Sequence, residues 1–324
     1  MNVLLIGLGR WGEKHLRVLQ EIGATVWVAD VSSERRQWAI AHGVDAGRAV
    51  EDYRVALDGV EAVDVVTPAD SHLAVAEACL RAGKHCFVEK PLTRTAAEGR
   101  RLVATARESG RVVQVGHIFR FHPVTAALEA ALAAGRIGAV RYATGRFAGF
   151  KRPRTDVGVF QTDGIHYVDL FRHLLRREPT GVSALQRDFL GRGLDDLSMA
   201  VVHYGDVPTV IEANYFVPGT YRECVIVGER GSLVADYGAS TVTLHSGEHQ
   251  RAGSGWEAAD TGKEELPASG VEPLRAELEA FRDACAGRRA VPVTAADGLV
   301  AVEVVEAVAH SARLGRQVTL AEIC

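Results

Sequence analysis

Short apolar runs punctuate the first third of the chain, at residues 2–6 (NVLLI), 25–30 (TVWVAD), 62–68 (AVDVVTP), 85–89 (HCFVE) and 111–116 (RVVQVG). Between them lie stretches with the three-and-four spacing of a helix that buries one face. In residues 10–22, Trp11, His15, Val18, Leu19 and Ile22 fall near one side; 32–43, 70–83 and 95–110 follow. Ser32 or Ser33 is placed to cap the second of these, and Gly43 to stop it. Strands of near-continuous Val, Leu and Ile alternating with helices predict a parallel sheet covered on both faces. This is an α/β, doubly wound domain over residues 1–120.

After residue 120 the rhythm changes. Residues 122–138 read as a helix closed by glycine, and 163–177 (DGIHYVDLFRHLLRR) as another. Strand-like segments without regular helices between them fill much of the rest: AVRYATGRFAG, SMAVVHYG, PTVIEANYFV, YRECVIVGERGSLVADYG and STVTLHSG. Gly- and Pro-bearing turns separate them, which predicts an antiparallel or mixed sheet in an α+β domain over residues 121–324. Residues 248–270, rich in Gly, Ser, Ala and charge, read as an exposed loop, and two helices near 272–286 and 295–314 end the chain.

Composition narrows the partners. The chain has 324 residues, which suits two domains, and a net charge of −4, which lacks the basic footprint of a nucleic-acid binder. No apolar run approaches the ~20 residues of a membrane span, and a strand-like start leaves no room for a signal peptide. Cys79, Cys86, Cys224, Cys285 and Cys324 are scattered and form no metal spacing, so no metal is expected and a reducing cytoplasm is the simplest location.

The chemistry begins at residues 6–12, IGLGRWG. Gly7, Gly9 and Gly12 have the GxGxxG spacing after a strand and at the start of a helix, the context a dinucleotide-binding turn requires. Gly7 permits the tight turn, Gly9 lets the backbone approach a pyrophosphate, and Gly12 lets helix lie on strand. Leu8, Arg10 and Trp11 belong to the same cradle, and free N–H groups at the helix start face the anion. Asp30 ends the second strand, where a carboxylate suits a ribose hydroxyl and selects NAD. Ser33, Arg35 and Arg36 close behind it leave NADP open.

Ligands in doubly wound folds sit beyond the carboxyl ends of the strands. Thr67-Pro68 and Glu89-Lys90-Pro91 end two strands and therefore border the cofactor. Proline beside Lys90 gives it a rigid neighbour, and a cis Lys90–Pro91 bond is compatible with the sequence without being specified by it. His72 and His117 lie at the same edge. His117 reads as a nicotinamide-side contact; His72 is grouped with the cofactor residues by position, though a structural role is equally open. His15 reads as packed against the sheet.

Together, GLGRWGEKHLRVL, VTPADSHLAVAEACLRAGKHCFVEKPLT, VGHIFRFHP, DGIHYVDLF and PVTAADGLVAVEVVEA resemble the glucose–fructose oxidoreductase / inositol dehydrogenase / MocA (Gfo/Idh/MocA) family over essentially the whole chain. The resemblance implies a Rossmann domain followed by a large, mostly antiparallel, open-faced sheet through which homodimers or homotetramers form. It implies a hydride transfer between a nicotinamide cofactor and a secondary hydroxyl or keto group of a sugar, inositol, amino sugar or nucleotide sugar. Lys90 matches the family's EKP lysine, which contacts cofactor and substrate. His166 and Asp169 match the histidine and aspartate of the second domain, and Arg120 an arginine after the fifth strand; with Lys90, His166 and Asp163, Arg120 is expected to contact the substrate. The family's DxGxHxxD pattern has Thr162 at its first acid, with Asp163 one residue away. One residue on a helix turns a side chain by about 100°.

On this reading His166 is the base, in the first turn of a helix whose positive end favours neutral imidazole, and Asp169 tunes it. Lys90 stabilises the alkoxide or takes the proton. Arg152 and Arg154, with Arg146 and Lys151 nearby, are read either as a solvated loop or as an anion clamp on the substrate. Two other functions stay open: a redox-neutral glycosidase that keeps its NAD, and a cofactor-sensing regulator without turnover.

Overall fold

The structure, a computed structural model, describes residues 1–323; Cys324 lies outside them. The first sheet contains β1 (Asn2–Ile6), β2 (Thr25–Ala29), β3 (Ala49–Val50), β4 (Ala62–Val65), β5 (His85–Glu89) and β6 (Val113–Gly116). Its order is β3-β2-β1-β4-β5-β6 and every pairing is parallel. Its strands alternate with helices α1 (Arg10–Glu21), α2 (Ser33–Ala41), α3 (His72–Arg81) and α4 (Ala96–Ser109). Ser32 is the cap of α2, its hydroxyl accepting from the Arg35 N–H, and Thr95 with Glu98 closes a capping box on α4. The expected doubly wound domain is present.

The second sheet contains β7 (Val140–Gly149), β8 (Pro179–Arg187), β9 (Leu197–Tyr204), β10 (Val207–Asn214), β11 (Thr220–Gly228), β12 (Gly231–Asp236), β13 (Thr241–Ala252), β14 (Gly255–Leu266) and β15 (Val318–Thr319). Its order is β14-β13-β12-β11-β7-β10-β9-β8-β15. Only β7 and β10 pair in parallel, so the sheet is mixed and mostly antiparallel. Helices α5 (Pro123–Ala133) and α6 (Ile165–Leu175) accompany it, and α7 (Pro273–Cys285) and α8 (Ala295–Leu314) follow. Tyr167 fixes α6 onto β7: its ring occupies the place of a side chain at Gly145, where a Cβ would lie 2.4 Å from it, and its hydroxyl donates to the Arg146 carbonyl at 3.0 Å. The Tyr204 hydroxyl donates to the Val168 carbonyl at 2.8 Å.

Two expectations change. Residues 248–270 are not a loop but most of the β13–β14 hairpin. From residue 248 on, both strands are largely exposed on either face, so no buried alternation marks that part in the sequence. The contacts also divide the chain discontinuously, into residues 1–118 with 272–302 and residues 119–271 with 303–324, whereas the composition suggested one boundary near 120. The cause is α7. Its Leu274, Leu278 and Phe281 join Val3, Leu5, Leu16, Leu19 and Phe87 in one buried cluster of the first unit. Leu274 and Leu278 fall one turn apart on the helix, which is why the segment returns with one apolar face inward.

Candidate active site

In the first unit, β1 runs into a turn that only glycine allows. Gly7 has φ +96°, and a Cβ on it would come within 2.7 Å of the Val66 carbonyl oxygen. A Cβ on Gly12 would lie 2.1 Å from the Gly7 carbonyl, so α1 can approach β1 only because residue 12 has no side chain. Gly9 differs. It caps α1 in extended conformation without a side-chain bond, and its Cβ would meet nothing within 4 Å. Internal packing does not demand glycine there; an approaching ligand backbone or phosphate would. Arg10 is exposed and Trp11 half-buried beside it, while Leu8 is buried.

Asp30 lies against this cradle. Its Oδ2 accepts from the Leu8 N–H at 2.7 Å and its Oδ1 from the Ser32 N–H at 2.9 Å. Arg35 donates to the Leu8 carbonyl at 2.6 Å and pairs with Glu13. Arg36 donates to the carbonyls of Asp30, at 2.7 Å, and Val31, at 3.1 Å. Ser33 is exposed and leaves the capping to Ser32.

The strand-end loops are braced from below. His72, 1% exposed, has Nδ1 2.8 Å from the Pro91 carbonyl and Nε2 2.9 Å from the Thr67 carbonyl. It ties the Thr67-Pro68 loop to the Lys90-Pro91 loop, and its burial makes it a brace and not the cofactor contact its position suggested. The Thr67 hydroxyl accepts from Ser71 at 2.7 Å. His117, directly after β6, is also buried, at 1% exposure. The Lys90–Pro91 bond is cis, and Lys90 is half-buried at the end of β5.

Beneath Lys90 lies a charge cluster whose connections the sequence did not reveal. Glu89 Oε2 accepts from the Lys90 N–H at 3.0 Å and Oε1 from the Trp11 indole N–H at 2.7 Å. His15 stands 3.3 Å from the same Oε1 through Nε2 and 2.8 Å from Asp64 Oδ2 through Nδ1. His15 and Asp64 are fully buried. Burial alone would lower the His15 pKa, but Asp64 and then Glu89 outweigh it and hold the imidazole protonated up to about 10. Burial pushes the Asp64 carboxyl up. It acts in the same sense on Glu89, where the close approach and charge of His15, then Lys90, reverse the direction and hold the carboxyl below its usual range. His15 does pack against the sheet, as expected, but as an ion-paired group. The readable signal was Asp64, an acid inside a wholly buried strand.

In the second unit, His166 is 6% exposed and packs in a cluster of near-parallel rings in which Phe119 and Phe147 also touch each other, at 6.2 Å. Phe119 lies 4.7 Å away at 22°, and Phe147 5.5 Å away at 12°. Tyr237 stacks on the far side of Phe119 at 4.3 Å. The expected first-turn position does not hold. A π-type turn at Phe160–Gly164 precedes α6, so the helical run begins before His166. Its leading N–H groups go to Asp195, from Val159 to the carbonyl at 2.8 Å and from Phe160 to Oδ2 at 2.9 Å. The dipole argument for neutral imidazole therefore loses its geometric basis.

Asp169 is taken by Arg120 in a two-pronged pair, Nε to Oδ2 at 2.8 Å and Nη2 to Oδ1 at 2.6 Å, with both side chains at or below 9% exposure. Arg120 thus holds Asp169 where a substrate contact had been expected. Thr162 donates to the Gly158 carbonyl at 2.8 Å, while Asp163, 3% exposed, pairs with Lys151 at 2.7 Å. Arg154 is paired with Asp156, Arg146 lies near Glu212 and Glu223, and Arg152 is exposed without an ion pair among the described residues. Most of the positive charge in this stretch is locally neutralised. Among the described residues no group of His, Cys, Asp and Glu is arranged to hold a metal ion, and no helix is long and apolar enough to cross a membrane.

Comparison with known proteins agrees with both halves. Residues 1–117 match the model of the Gfo/Idh/MocA oxidoreductase family, NAD-binding Rossmann fold, and residues 129–320 match that family's C-terminal alpha/beta domain. Inositol 2-dehydrogenase 2 of Saccharopolyspora erythraea is 30% identical over 327 residues, spanning 97% of this chain and 94% of that protein. UDP-N-acetylglucosamine 3-dehydrogenase of Acidithiobacillus ferrooxidans is 36% identical over 186 residues, 57% of this chain and 58% of that protein. A solved structure of an enzyme of that name from the same organism aligns with TM-score 0.83 at 27% identity, covering 97% of this chain and 98% of that one. Levoglucosan dehydrogenase, solved with NADH and levoglucosan, shares the fold at TM-score 0.83 and 22% identity, with 99% of each chain covered.

Proposed function

The chain belongs to the Gfo/Idh/MocA oxidoreductase family, and on that premise we propose that it is an NAD-dependent dehydrogenase of a sugar, inositol, amino sugar or nucleotide sugar. The observation that carries this is Gly9: open space at the start of α1, in the same unit whose β5 ends just before Lys90. The bound nicotinamide supplies the hydride acceptor or donor.

The protein's part is orientation and the proton. N–H groups at the start of α1 hold the pyrophosphate, and Asp30, fixed by the Leu8 and Ser32 N–H groups, receives the adenosine ribose. Arg35 and Arg36 are turned onto backbone carbonyls and Glu13, which leaves a 2′-phosphate poorly served and favours NAD over NADP. Lys90 stabilises the alkoxide that develops as the C–H bond breaks. His166 accepts the hydroxyl proton in oxidation and returns it in reduction. Asp169, held by Arg120, contributes a fixed negative charge on the same helix as His166.

The carbohydrate substrate is joined by two further proposals. The enzyme works in the cytoplasm, in keeping with the free Cys79, Cys86, Cys224 and Cys285, and it associates as a homodimer or homotetramer through the second sheet. The deciding experiment is a cofactor-reduction screen with NAD and NADP across free sugars, inositols, amino sugars and nucleotide sugars. Net NADH formation with at least one polyol is expected. Bond hydrolysis without net NADH points to the redox-neutral glycosidase, and nucleotide binding without either reaction to the regulator.

A further inference from the structure

The cluster beneath Lys90 is larger than burial requires. A single buried acid in β4 could be satisfied by one partner, yet here a fully buried imidazole stands between two carboxylates. The arrangement is also directional. Trp11 and His15 lie four residues apart on α1, the helix that begins at Gly9, and both address Glu89 Oε1. The other oxygen of Glu89 accepts the backbone N–H of Lys90. The His15–Glu89 approach, at 3.3 Å, is off the line of the ring N–H, so His15 Nε2 completes no well-aligned hydrogen bond and acts on Glu89 chiefly through charge. Space for the carboxylate is kept by Gly116, which pairs with Glu89 in the sheet; a Cβ there would lie 2.8 Å from Glu89 Oε1.

We propose that Asp64, His15 and Glu89, with Trp11, form a buried positioning relay that ties Lys90 to the first two turns of the phosphate-binding helix, so that cofactor seated on α1 sets the place of the lysine. The inference rests on the reading of Lys90 as the catalytic lysine. Asp64 anchors the imidazole from β4, the imidazole and the Trp11 indole hold one oxygen of Glu89, and the second oxygen fixes the Lys90 backbone. Movement at the start of α1 is therefore passed to residue 90 by side chains alone. An acid at position 89 is needed because three groups address its two oxygens, and an amide can accept at only one of them.

The test compares the full-length chain with H15Q, E89Q and G116A. Lys90 is trapped with pyridoxal 5′-phosphate and borohydride and quantified by peptide mass spectrometry, with and without saturating NADH; Lys84 is the control. NADH dissociation constants and melting temperatures are measured alongside, and kcat and KM with myo-inositol or UDP-N-acetylglucosamine, whichever is turned over. The trapping rate at Lys90 is expected to change about fivefold or more in each variant while Lys84 is unaffected, and kcat to fall about tenfold with KM changed less than about threefold. The H15Q/E89Q double variant should be no worse than E89Q, as for groups acting in one chain. G116A removes no charge and displaces only the carboxylate. A folded G116A with unaltered Lys90 trapping overturns the proposal, and so does an additive loss in the double variant. K90M keeps the two readings apart: full turnover by K90M removes Lys90 from the chemistry and leaves the trapping result to decide the relay.

Discussion

The first unit holds Lys90 with buried charge, whereas the second holds His166 with aromatic rings. Charges in a dry interior are costly unless every partner is in place, so the Lys90 support demands particular atoms at particular distances. Stacked rings are less exacting, because dispersion and burial survive modest changes in shape. The contrast teaches where each unit is fragile: substitutions near Glu89 should strike function sharply, and those around His166 should grade with the volume removed.

Several experiments break or sharpen this contrast. The largest effect is expected at the lysine itself, where K90M should lower kcat by about 10³-fold, as for loss of an acid–base group, with NADH binding nearly intact by fluorescence titration. The glycines come next. G12A drives a methyl into the Gly7 carbonyl and should cost about 3 kcal/mol in urea unfolding, whereas G9A should fold normally and bind NADH about tenfold more weakly. At the aromatic side, H166N should lower kcat about 10²-fold, while F147L, which keeps an apolar neighbour, should cost only about threefold. Parity between these two would mean that the stack, and not the imidazole, matters.

A smaller effect concerns pH. His15 is protonated in the folded protein up to about 10 against an ordinary value of 6.5, and the charged groups facing it are Asp64 and Glu89. Its contribution is fully present below about pH 6.5 and is lost as pH rises through about 10, so stability should decline between pH 7 and 10. Buried Asp64, whose pKa is raised, opposes part of this gain. H15Q should flatten the decline in a melting series. The smallest change is expected from R152A: the exposed guanidinium should alter KM for a nucleotide sugar by less than about threefold, and a larger rise would restore the anion clamp.

What could be read beforehand was local. IGLGRWG and Glu89-Lys90-Pro91 declare themselves because their chemistry lies within a few residues and at a strand end. The pairings that give those groups their setting join distant positions. Asp64 meets His15 and Asp169 meets Arg120 across 49 residues each, and nothing in the spacing of either pair marks it. Asp195, which closes the start of the π-type turn, was equally hidden. Residues 248–266 of the β13–β14 hairpin escaped notice for a different reason: the start of β13, with Val242 and Leu244 inward, reads as strand, but the rest is an exposed ribbon without an apolar face, and hydrophobic periodicity is the signal on which strand reading depends.

The return of α7 to the first unit bears on how the chain is made. Leu274, Leu278 and Phe281 complete a cluster begun by Val3 and Leu5, so the nucleotide-binding half cannot close when its last parallel strand leaves the ribosome. At ordinary elongation rates it waits on the order of ten seconds or more, with part of its apolar surface uncovered while the entire second sheet is being synthesised. The domain that starts first in translation is thus finished late, and a chaperone that shields nascent chains would find its site on the face that α7 later covers.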